Sequence, residues 1–404
     1  LSEVDDYSNV FFLRNLYDAK NLKTLLQPRK KILIVGGGYL GKAHSVAFAA
    51  VASVFDTKLK PRLVTICAQT EENAEKYRKA YGFSKGTSEW KTLISDPEVD
   101  AIVIASPQHT HHDIALAALH AGKPVLCEKP LGISLKESRS MVKAADDSGV
   151  TNMVGFNYIR TPASQQIRKF LADGRIGKLT WFRGEMTEDF FADPNVGGWR
   201  SQGAANGTMG DLAPHMINAA RALMGPIETL SASIETVHKI RDGTKVTNDD
   251  QAQMMCCFKS GAQGHMYFSR VATGRKMGYA YEIHGTKGHI RFDQEDQNAI
   301  WLYTDEGPEV ERGFKKILTG PAHPDYLPFC QGPGHGTGYQ DQIIIEAKDF
   351  LTAIAEKRTI WPSFKEAMEV NRIIAASQDS LSLIHISEPT RQAEISYAVF
   401  CLKK

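Results

Sequence analysis

The stretch Ile32-Leu-Ile-Val-Gly-Gly-Gly-Tyr-Leu-Gly41 decides the fold class of this chain. Its first four residues form the short apolar run that is typical of a buried parallel strand. Gly36, Gly38 and Gly41 follow with Gly-x-Gly-x-x-Gly spacing, and they open a segment with a helical pattern. In that context the glycines allow a tight turn, a close approach of the backbone to a pyrophosphate, and close helix packing. The stretch therefore predicts a dinucleotide-binding βαβ unit.

Short β-branched runs alternate with amphipathic segments from residue 30 to about residue 156. This rhythm is typical of βαβ units around a parallel sheet. Beyond residue 156, strand-like runs follow one another directly, with glycines at several turns. We therefore predict a nucleotide-binding α/β Rossmann domain with a doubly wound parallel sheet over residues 30–156. Residues 157–380 are predicted to form an α+β substrate and oligomerisation domain with a largely antiparallel open sheet.

The predicted elements can be given by range. The strands of the first domain are Ile32–Val35, Leu63–Ile66, Ala101–Ala105, Pro124–Cys127 and Met153–Phe156. Those of the second domain are Leu179–Glu185, Thr229–Val237, Gln251–Phe258, Gly264–Arg270, Tyr279–His284, Gly288–Phe292 and Trp301–Thr304. Two amphipathic helices, Asp341–Lys357 and Phe364–Gln378, close the natural chain.

Both ends of the chain stand apart from this pattern. Residues 1–29 precede the first strand without an initiating methionine, and a leader, an upstream frame and a family extension all stay open as explanations. Residues 381–404 lose the helical periodicity. They back-translate into a transposase-derived library adapter and a distal primer region, with Gln392–Glu394 at the sample-index position. We expect this tail to be translated sequencing adapter rather than a natural strand.

Composition and charge limit the kinds of molecule that the protein is expected to bind. The 404 residues carry a formal net charge of +2 with acids and bases interspersed, whereas nucleic-acid-binding proteins usually show a basic patch or stripe. We expect a small-molecule partner and no nucleic acid. No apolar run reaches membrane-spanning length and no secretory pattern opens the chain, which predicts a cytoplasmic protein with no membrane partner. The six cysteines include no Cys-x-x-Cys pair, which indicates reduced thiols rather than a disulfide framework or a zinc site.

The end of the second predicted strand bears on the choice of cofactor. NAD enzymes normally place an acid there to bind the ribose hydroxyls, and NADP enzymes have an arginine nearby. This chain has Cys67-Ala68-Gln69-Thr70 instead. Gln69 and Thr70 could hydrogen-bond a free 2′-hydroxyl, so the sequence leaves NAD and NADP open and favours NAD.

Ser106-Pro107-Gln108 follows the strand at 101–105. Ligands lie outside the carboxyl ends of parallel strands, so this turn is expected to face the cofactor cleft. Nearby, His109, His111 and His112 suggest a metal cluster. Their adjacent spacing at a helix start favours capping and packing instead, because a tetrahedral site needs well-spread ligands.

Glu128-Lys129-Pro130 ends a later strand of the same predicted sheet. The motif places an ionisable lysine where the nicotinamide ring of a bound dinucleotide should lie. A glycine loop by itself indicates only that a dinucleotide binds. The added lysine indicates hydride transfer.

With these motifs the chain resembles the Gfo/Idh/MocA oxidoreductases over about residues 30–380. The resemblance rests on the glycine loop, Pro107-x-x-x-His111, Gly122-Lys-Pro-Val-Leu-Cys-Glu-Lys-Pro130 and Gly210-Asp-Leu-Ala-Pro-His215. Within the family, the chain is most similar to the levoglucosan and inositol dehydrogenases, on Phe156-Asn-Tyr-Ile-Arg-Thr-Pro162, Thr319-Gly-Pro-Ala-His-Pro324 and the segment 338–350. The resemblance implies that Lys129, Asp211 and His215 act in catalysis.

Three positions depart from the family pattern. The acid usual at the end of the second strand is missing, which puts the cofactor preference in doubt. Gln108 stands where Asn is common, and Asn218 replaces an Asp often found after the histidine. The last departure puts the substrate in doubt.

Asp211 and His215 are four residues apart on a predicted helix, and Asn218 continues the same stripe. Oxidation of a secondary alcohol needs a group of near-neutral pKa at the hydroxyl; histidine qualifies, and lysine qualifies if its pKa is lowered. We predict His215 as general base, Lys129 as hydrogen-bond donor and proton relay, and Asp211 as substrate binder. The reverse assignment of His215 and Lys129 stays open, as does a structural role for His215. A zinc ion on Asp211 and His215 would lack a third ligand.

The predicted site residues fall into two sets. The cofactor-binding set is Gly36, Gly38, Tyr39, Leu40, Gly41, Ala68, Gln69, Ser106, Pro107, Gln108, His111, Glu128 and Lys129. The substrate-binding set is Lys129, Asn157, Tyr158, Arg160, Trp199, Arg200, Asp211, His215, His323 and Tyr339. Trp199 would form an apolar wall for a sugar ring or serve packing alone. His323, Tyr326, His335 and Tyr339 lie in a long Gly/Pro-rich connection of the kind that is often functional.

Taken together, the residues and the resemblance predict an NAD(P)-dependent dehydrogenase of a cyclic polyol, sugar or anhydrosugar. Two alternatives are a non-catalytic nucleotide-sensing regulator of the same fold and a dihydrodiol-type dehydrogenase. Retention of Lys129, Asp211 and His215 argues against the regulator. An open sheet face in the second domain would allow a homo-oligomer.

Overall fold

The computed structural model describes the backbone of residues 29–383 and the side chains of residues 30–380. Its first sheet has six parallel strands in the order β3-β2-β1-β4-β5-β6. The strands are β1 Arg29–Val35, β2 Lys60–Cys67, β3 Lys85–Thr87, β4 Ala101–Ile104, β5 Val125–Glu128 and β6 Asn152–Gly155. This order is that of a doubly wound dinucleotide fold, so the predicted Rossmann domain is confirmed.

Helices cover both faces of this sheet. They are α1 Tyr39–Val54, α2 Glu71–Tyr81, α3 Trp90–Ile94, α4 His111–His120 and α5 Leu135–Ser148. Strand residues alternate between the two apolar layers: Ile34 packs on the α1 side and Leu33 on the α4–α5 side. Burial on both faces explains why these strands are continuous apolar runs in the sequence.

The second sheet has eight strands in the order β16-β15-β14-β13-β7-β12-β11-β8. All neighbouring pairs are antiparallel except β7 and β12, so the sheet is mixed and largely antiparallel, as predicted. Its strands are β7 Leu179–Thr187, β8 Ile227–Glu235, β11 Gln251–Phe258, β12 Gln263–Ser269, β13 Ala280–Gly285, β14 Gly288–Asp293, β15 Ala299–Thr304 and β16 Lys315–Leu318. A separate two-stranded ribbon pairs β9 Ile240–Arg241 with β10 Thr244–Lys245.

Five further helices belong to this half of the chain. They are α6 Pro162–Ala172, α7 Thr208–Asp211, α8 Ala213–Met224, α9 Tyr339–Glu356 and α10 Phe364–Leu383. Helix α8 packs on one face of the large sheet, where Phe182 of β7 and Met216 of α8 are fully buried. On the other face β7 presents Trp181 and Arg183, because successive strand residues point to opposite sides.

The last two helices return to the first domain. Phe350 of α9 meets Phe48 of α1 edge to face at 6.4 Å, and both rings lie in the same apolar layer. Asn371 of α10 donates to Ser138 Oγ of α5 at 2.7 Å. The predicted second domain, 157–380, therefore includes two helices that form an outer layer of the Rossmann domain.

A buried charged cluster fixes the long connection between β7 and α7. The Asp250 carboxylate accepts hydrogen bonds from Arg241 at 3.1 Å and Arg270 at 3.0 Å, and all three side chains are buried. Both guanidinium groups lie over the Phe191 ring, with their carbons 4.4 Å (Arg241) and 4.6 Å (Arg270) from its centroid. Arg270 also donates to the carbonyl of Arg200 at 2.8 Å. We name these four residues, Phe191, Arg241, Asp250 and Arg270, the arginine clamp.

The predicted elements need correction at four short strands and at one helix end. The strands β3, β9, β10 and β16 were not predicted, because two to four residues carry too little periodicity to be distinguished from turns. Helix α10 continues to Leu383, so the first three residues of the predicted adapter tail are helical in the structure. The rest of that tail, residues 384–404, and the doubtful start, residues 1–28, lie outside the described residues. Among the helices between residues 29 and 383, none is long and apolar enough to cross a membrane.

We predict that Asp250→Asn destabilises the fold strongly. The substitution removes the negative charge between two buried guanidinium groups, and loss of one partner of a buried ion pair costs about 3–5 kcal/mol. The measurement is the free energy of unfolding in urea. Asp147→Asn is the control, because its pair with Lys143 on α5 is solvent-exposed and worth less than about 1 kcal/mol. Equal losses in the two variants would contradict the role given to the arginine clamp.

Candidate active site

The glycine loop forms an open cradle at the start of α1. Gly36 has φ +105°, and a side chain there would collide with the backbone of Ala105 and Ser106 at the end of β4. A side chain on Gly38 would meet nothing within 4 Å. Gly38 caps α1 without a side-chain hydrogen bond, and the first turn holds no acid. The N–H groups of this 16-residue helix are thus available to an anion, which fits the pyrophosphate of a dinucleotide.

The end of β2 lies beside this cradle. Thr70 caps α2, with its hydroxyl oxygen accepting from Asn73 N at 3.2 Å, and Gln69 is exposed. The nearby acid, Glu71, accepts from Ser88 N and from Ser88 Oγ, each at 2.6 Å. These hydrogen bonds lower the pKa of Glu71. The Glu71 carboxylate is therefore already hydrogen-bonded to Ser88, which follows β3.

The three adjacent histidines contact separate partners. The buried His111 ring bridges the carbonyls of Pro130, at 2.9 Å from Nδ1, and Ser106, at 3.0 Å from Nε2. Burial lowers the pKa of His111, and the hydrogen bonds to the two carbonyls oppose that shift. His112 contacts Asp113 and Ser140, and His109 is exposed. His111 consequently connects the end of β4 to the turn that carries Lys129.

Lys129 joins the two domains at the end of β5. Its Nζ donates to Asp211 Oδ1 at 2.7 Å and to the Asp211 carbonyl at 2.9 Å. The lysine side chain is 11% exposed and the aspartate side chain 28%. Burial would raise the pKa of Asp211, but the charge and hydrogen bond of Lys129 outweigh burial and hold that pKa below its ordinary value. Asp211 therefore enters the pair as a carboxylate that accepts from Lys129 Nζ.

His215 lies near this pair and is buried. Burial, followed by the positive charge of Lys129, lowers the pKa of His215 well below its ordinary value. The edge of Tyr158 meets the histidine ring with centroids 4.7 Å apart, and Phe156 lies at 6.0 Å. A neutral imidazole at this point has a lone pair that can accept a proton.

The predicted single helix from Asp211 to His215 is wrong in one respect. α7 ends at Asp211, and α8 begins at Ala213 with Pro214 in its first turn. Proline lacks an N–H and is suited to a helix start, which explains the break. The Asp211 carboxylate thereby reaches Lys129. Asn218 does continue the stripe of His215, and its buried amide has no hydrogen-bond partner within the described part of the chain.

Glu188 was not predicted. It follows β7 directly, and burial raises its pKa to about 7, with the negative charge of Asp211 adding to the shift and the charges of Lys129 and Arg200 opposing it. These interactions place Glu188 among the charges of the same cleft. The available signal was an acid at the end of a second-domain strand, in Met186-Thr-Glu-Asp189.

Aromatic rings connect the glycine loop to the catalytic pair. Tyr39 stacks on Tyr339 at 5.9 Å, and Tyr339 lies 6.4 Å from Tyr158, whose ring contacts His215. Tyr39 is 74% exposed. The structure thus brings Tyr339, from the end of the long Gly/Pro-rich connection, into contact with residues of both predicted sets.

Trp199 and Arg200 lie on the connection that the arginine clamp fixes. The Arg200 guanidinium covers the Trp199 ring at 4.5 Å, and Trp199 is 63% exposed. Arg200 also lowers the pKa of Asp211 through its charge, though less than Lys129 does. A flat apolar surface and a cation are therefore placed near the catalytic pair.

Other predicted substrate residues are engaged elsewhere. Asn157 donates to Gln342 at 3.0 Å inside the protein. Arg160 is buried and forms ion pairs with Asp349 and, at 3.4 Å, with Glu346, both on α9. His323 Nδ1 accepts from Gly320 N at 3.0 Å within its own turn. These side chains help to hold α9 and the connection in place, and the geometry gives them no partner in the cleft.

Two residues of the long connection can also be located. Tyr326 is fully buried, with its hydroxyl donating to the Gly332 carbonyl at 2.8 Å. His335 is exposed and lies 3.4 Å from Cys330 Sγ. Neither contacts the catalytic pair. The hypothesis of a polyol site built from this connection is therefore reduced to Tyr339.

Glu128 faces inward rather than into the cleft. Its carboxylate contacts His44 Nε2 of α1 at 2.7 Å and accepts from the backbone N–H of Lys129 at 3.3 Å. Glu346 lies near this pair, and burial raises its pKa to about 7. Glu128 therefore orients the Lys129 turn from the interior of the protein, on the side of α1.

Comparison with known proteins gives the chain its family. Residues 30–156 match the model of an oxidoreductase family with an NAD-binding Rossmann fold. Residues 164–291 match the model of the GFO/IDH/MocA C-terminal domain. Levoglucosan dehydrogenase of Pseudarthrobacter phenanthrenivorans is 38% identical over 86% of this chain and 95% of its own length. Inositol 2-dehydrogenase of Rhizobium meliloti is 26% identical over 86% of this chain and 96% of its length.

Solved structures give the same result. The structure of a levoglucosan dehydrogenase in complex with NADH and levoglucosan has a TM-score of 0.88 at 36% identity, and the match covers 90% of this chain and all of that one. The predicted family and fold class are thereby confirmed, as is the predicted binding of a nicotinamide dinucleotide, with an NAD-binding Rossmann fold as the matching family description. This chain belongs to the Gfo/Idh/MocA oxidoreductase family and is an NAD(P)-dependent dehydrogenase.

Proposed function

We propose that the chain oxidises a secondary hydroxyl of an anhydrosugar, sugar or cyclic polyol, with levoglucosan as the first candidate. One observation carries the proposal: the Lys129–Asp211 ion pair lies beside a buried neutral His215 on the cofactor side of the fold. That arrangement provides a donor and a proton acceptor for one hydroxyl group. The choice of levoglucosan is supported by the relative that aligns over nearly its whole length.

His215 acts as general base in this proposal. The substrate hydroxyl gives its proton to the neutral imidazole while its carbon loses a hydride and becomes a carbonyl carbon. Lys129 donates a hydrogen bond to the same oxygen as negative charge develops there. Lys129 Nζ already acts as a donor to the Asp211 carboxylate and carbonyl, which is why we assign the donor role to Lys129 and the base role to His215. Bound NAD supplies the hydride acceptor.

Substrate recognition is assigned to the residues that share the cleft. Glu188 offers an acceptor and Arg200 a donor for further hydroxyl groups, and Trp199 gives an apolar wall beside them. Tyr158 fixes the His215 ring from the side. Asn157, Arg160 and His323 are not part of the proposed contact set, because their polar groups are bound within the protein.

The alternative functions, the oligomeric state, the location and the absence of a nucleic-acid partner stay predictions. No specific observation favours the regulator or the dihydrodiol dehydrogenase over the proposed activity. A homo-oligomer that pairs through the open sheet face stays a prediction, supported by exposed Met255 and Trp301 on outward positions of β11 and β15. The cytoplasmic location and the absence of a nucleic-acid partner also stay predictions.

We predict that the purified chain reduces NAD in the presence of levoglucosan, and that His215→Asn and Lys129→Met each lower kcat by roughly 10²–10⁴, the usual contribution of an acid–base group. The measurement is the steady-state rate of NADH formation, with an unchanged unfolding temperature as the check that each variant is folded. His335→Asn is the control, because that histidine is exposed and its polar contact is with Cys330, away from the catalytic pair. No NADH formation with levoglucosan, other anhydrosugars or inositols would refute the proposed function.

We predict that Gly38→Ala weakens NADH binding at least tenfold and leaves the unfolding temperature unchanged. The added methyl group has open space in the fold but stands where the pyrophosphate approaches the backbone. NADH titration by fluorescence measures the effect. Gly313→Ala is the matched control, since that glycine also has open space around it and lies away from the cradle. Unchanged affinity in Gly38→Ala would place the cofactor elsewhere.

We predict that Glu188→Gln becomes more stable than the wild type as pH rises from 5 to 8. Burial raises the folded-state pKa of Glu188 to about 7, whereas the unfolded chain ionises near 4.5. Between these values the folded state binds more protons, so the free energy of unfolding of the wild type falls with rising pH. Glutamine cannot ionise, so the free energy of unfolding of Glu188→Gln does not fall for this reason.

Urea unfolding at pH 5, 6.5 and 8 measures this divergence. Glu228→Gln is the control, because Glu228 is exposed on β8. If the free energy of unfolding depended on pH in the same way in Glu188→Gln and in the wild type, Glu188 would not be buried in the charged cleft.

A further inference from the structure

Two histidines and one glutamate converge on the outer face of the large sheet. His284 of β13 and His289 of β14 are direct cross-strand partners. Glu282 lies two residues before His284, so its side chain points to the same face. Cross-strand side chains start only about 5 Å apart, which brings these groups together without any loop.

The three ligand-type atoms face one another. Glu282 Oε2 lies 4.0 Å from His284 Nε2 and 3.8 Å from His289 Nε2. All three atoms lie within 4.8 Å of one another, and the imidazole centroids are 3.9 Å apart. Both Nε2 atoms are inaccessible to solvent, and neither has a hydrogen-bond partner among the described residues. Buried polar atoms normally have hydrogen-bond partners. Two Nε2 atoms on neighbouring histidines that have none within the described residues therefore require an explanation.

A divalent cation explains all of these features. We propose that Glu282, His284 and His289 form a binding site for a borderline transition-metal ion of the Zn²⁺ class. Two imidazoles and a carboxylate are a common ligand set for such ions, with a fourth position left for water. Zinc–nitrogen bonds of about 2.0–2.1 Å place tetrahedral ligand atoms roughly 3.3 Å apart. The two glutamate–histidine distances need to shorten by about 0.5–0.7 Å to reach that value, which small side-chain rotations provide.

Neighbouring side chains hold the rings in this orientation. Trp181 meets His284 edge to face at 4.9 Å, and Phe314 meets His289 at 5.0 Å. Arg291 pairs with Oε1 of Glu282 at 3.6 Å, which leaves Oε2 directed at the histidines. Such outer contacts fix metal ligands and raise affinity.

The site is separate from the active site. It lies on the sheet face opposite α8, the helix that carries His215, and it shares no residue with the glycine cradle or the catalytic pair. Metal binding there is therefore expected to leave NADH affinity unchanged. This separation allows the two sites to be tested independently.

The test is calorimetric titration of the tag-free full chain with Zn²⁺, and spectroscopic titration with Co²⁺, whose visible d–d bands report nitrogen ligation. We expect one ion per chain. His284→Gln and His289→Gln should each weaken binding at least tenfold, the scale on which disturbed metal sites lose affinity. Glu282→Gln keeps both imidazoles and should weaken binding as well.

His265→Gln is the matched control, because His265 is a half-buried histidine of β12 on the same outer face. It should bind the metal as the wild type does. NADH binding in every variant shows that the fold is intact. No stoichiometric binding by the wild type, equal affinity in the control and all three site variants, or loss of affinity in His265→Gln alone would each overturn the proposal.

Discussion

The ion pair between Lys129 and Asp211 is the interaction on which the rest of the active site depends. It joins the carboxyl end of β5 in one domain to the end of α7 in the other. Removing two charges from water is costly, and a buried pair is often worth no more than apolar side chains of the same size. The pair is therefore best understood as a positioning device that also affects charge states: Lys129 lowers the pKa of Asp211, and its charge adds to the larger effect of burial in lowering the pKa of His215.

A second group of buried charges supports the substrate side. The arginine clamp fixes the connection that carries Trp199 and Arg200 by satisfying its backbone carbonyls. At the Lys129 turn, Glu128 accepts from the backbone N–H of Lys129 and is itself held by His44. In both cases polar groups inside the protein orient a loop that would otherwise be free to move. The active site is thus held by buried electrostatics on two sides rather than by apolar packing alone.

Local signals predicted much of this molecule. The glycine loop, the alternation of strands and helices, and Lys129 at the end of β5 all follow from patterns within a few residues. The break at Leu212 was missed because spacing alone placed Asp211 and His215 on one helix, although Pro214 was a visible signal.

Contacts between distant parts of the chain could not be predicted. Arg160 was assigned to substrate, yet its partners Glu346 and Asp349 come from a helix near the other end of the chain. Glu188 was missed because its raised pKa arises from burial among groups of both domains. Only the folded arrangement shows which polar side chains are already satisfied.

The return of α9 to the first domain affects how the protein must be made. The apolar layer around Phe48 is completed by Phe350, which lies about three hundred residues later in the chain. The nucleotide-binding half ends at residue 156, so during translation at roughly 5–20 residues per second it waits about 10–40 s for Phe350 with that surface uncovered. Such a half-finished domain is a natural client for chaperones. Its assembly is a late event on the ribosome, even though its sequence is synthesised first.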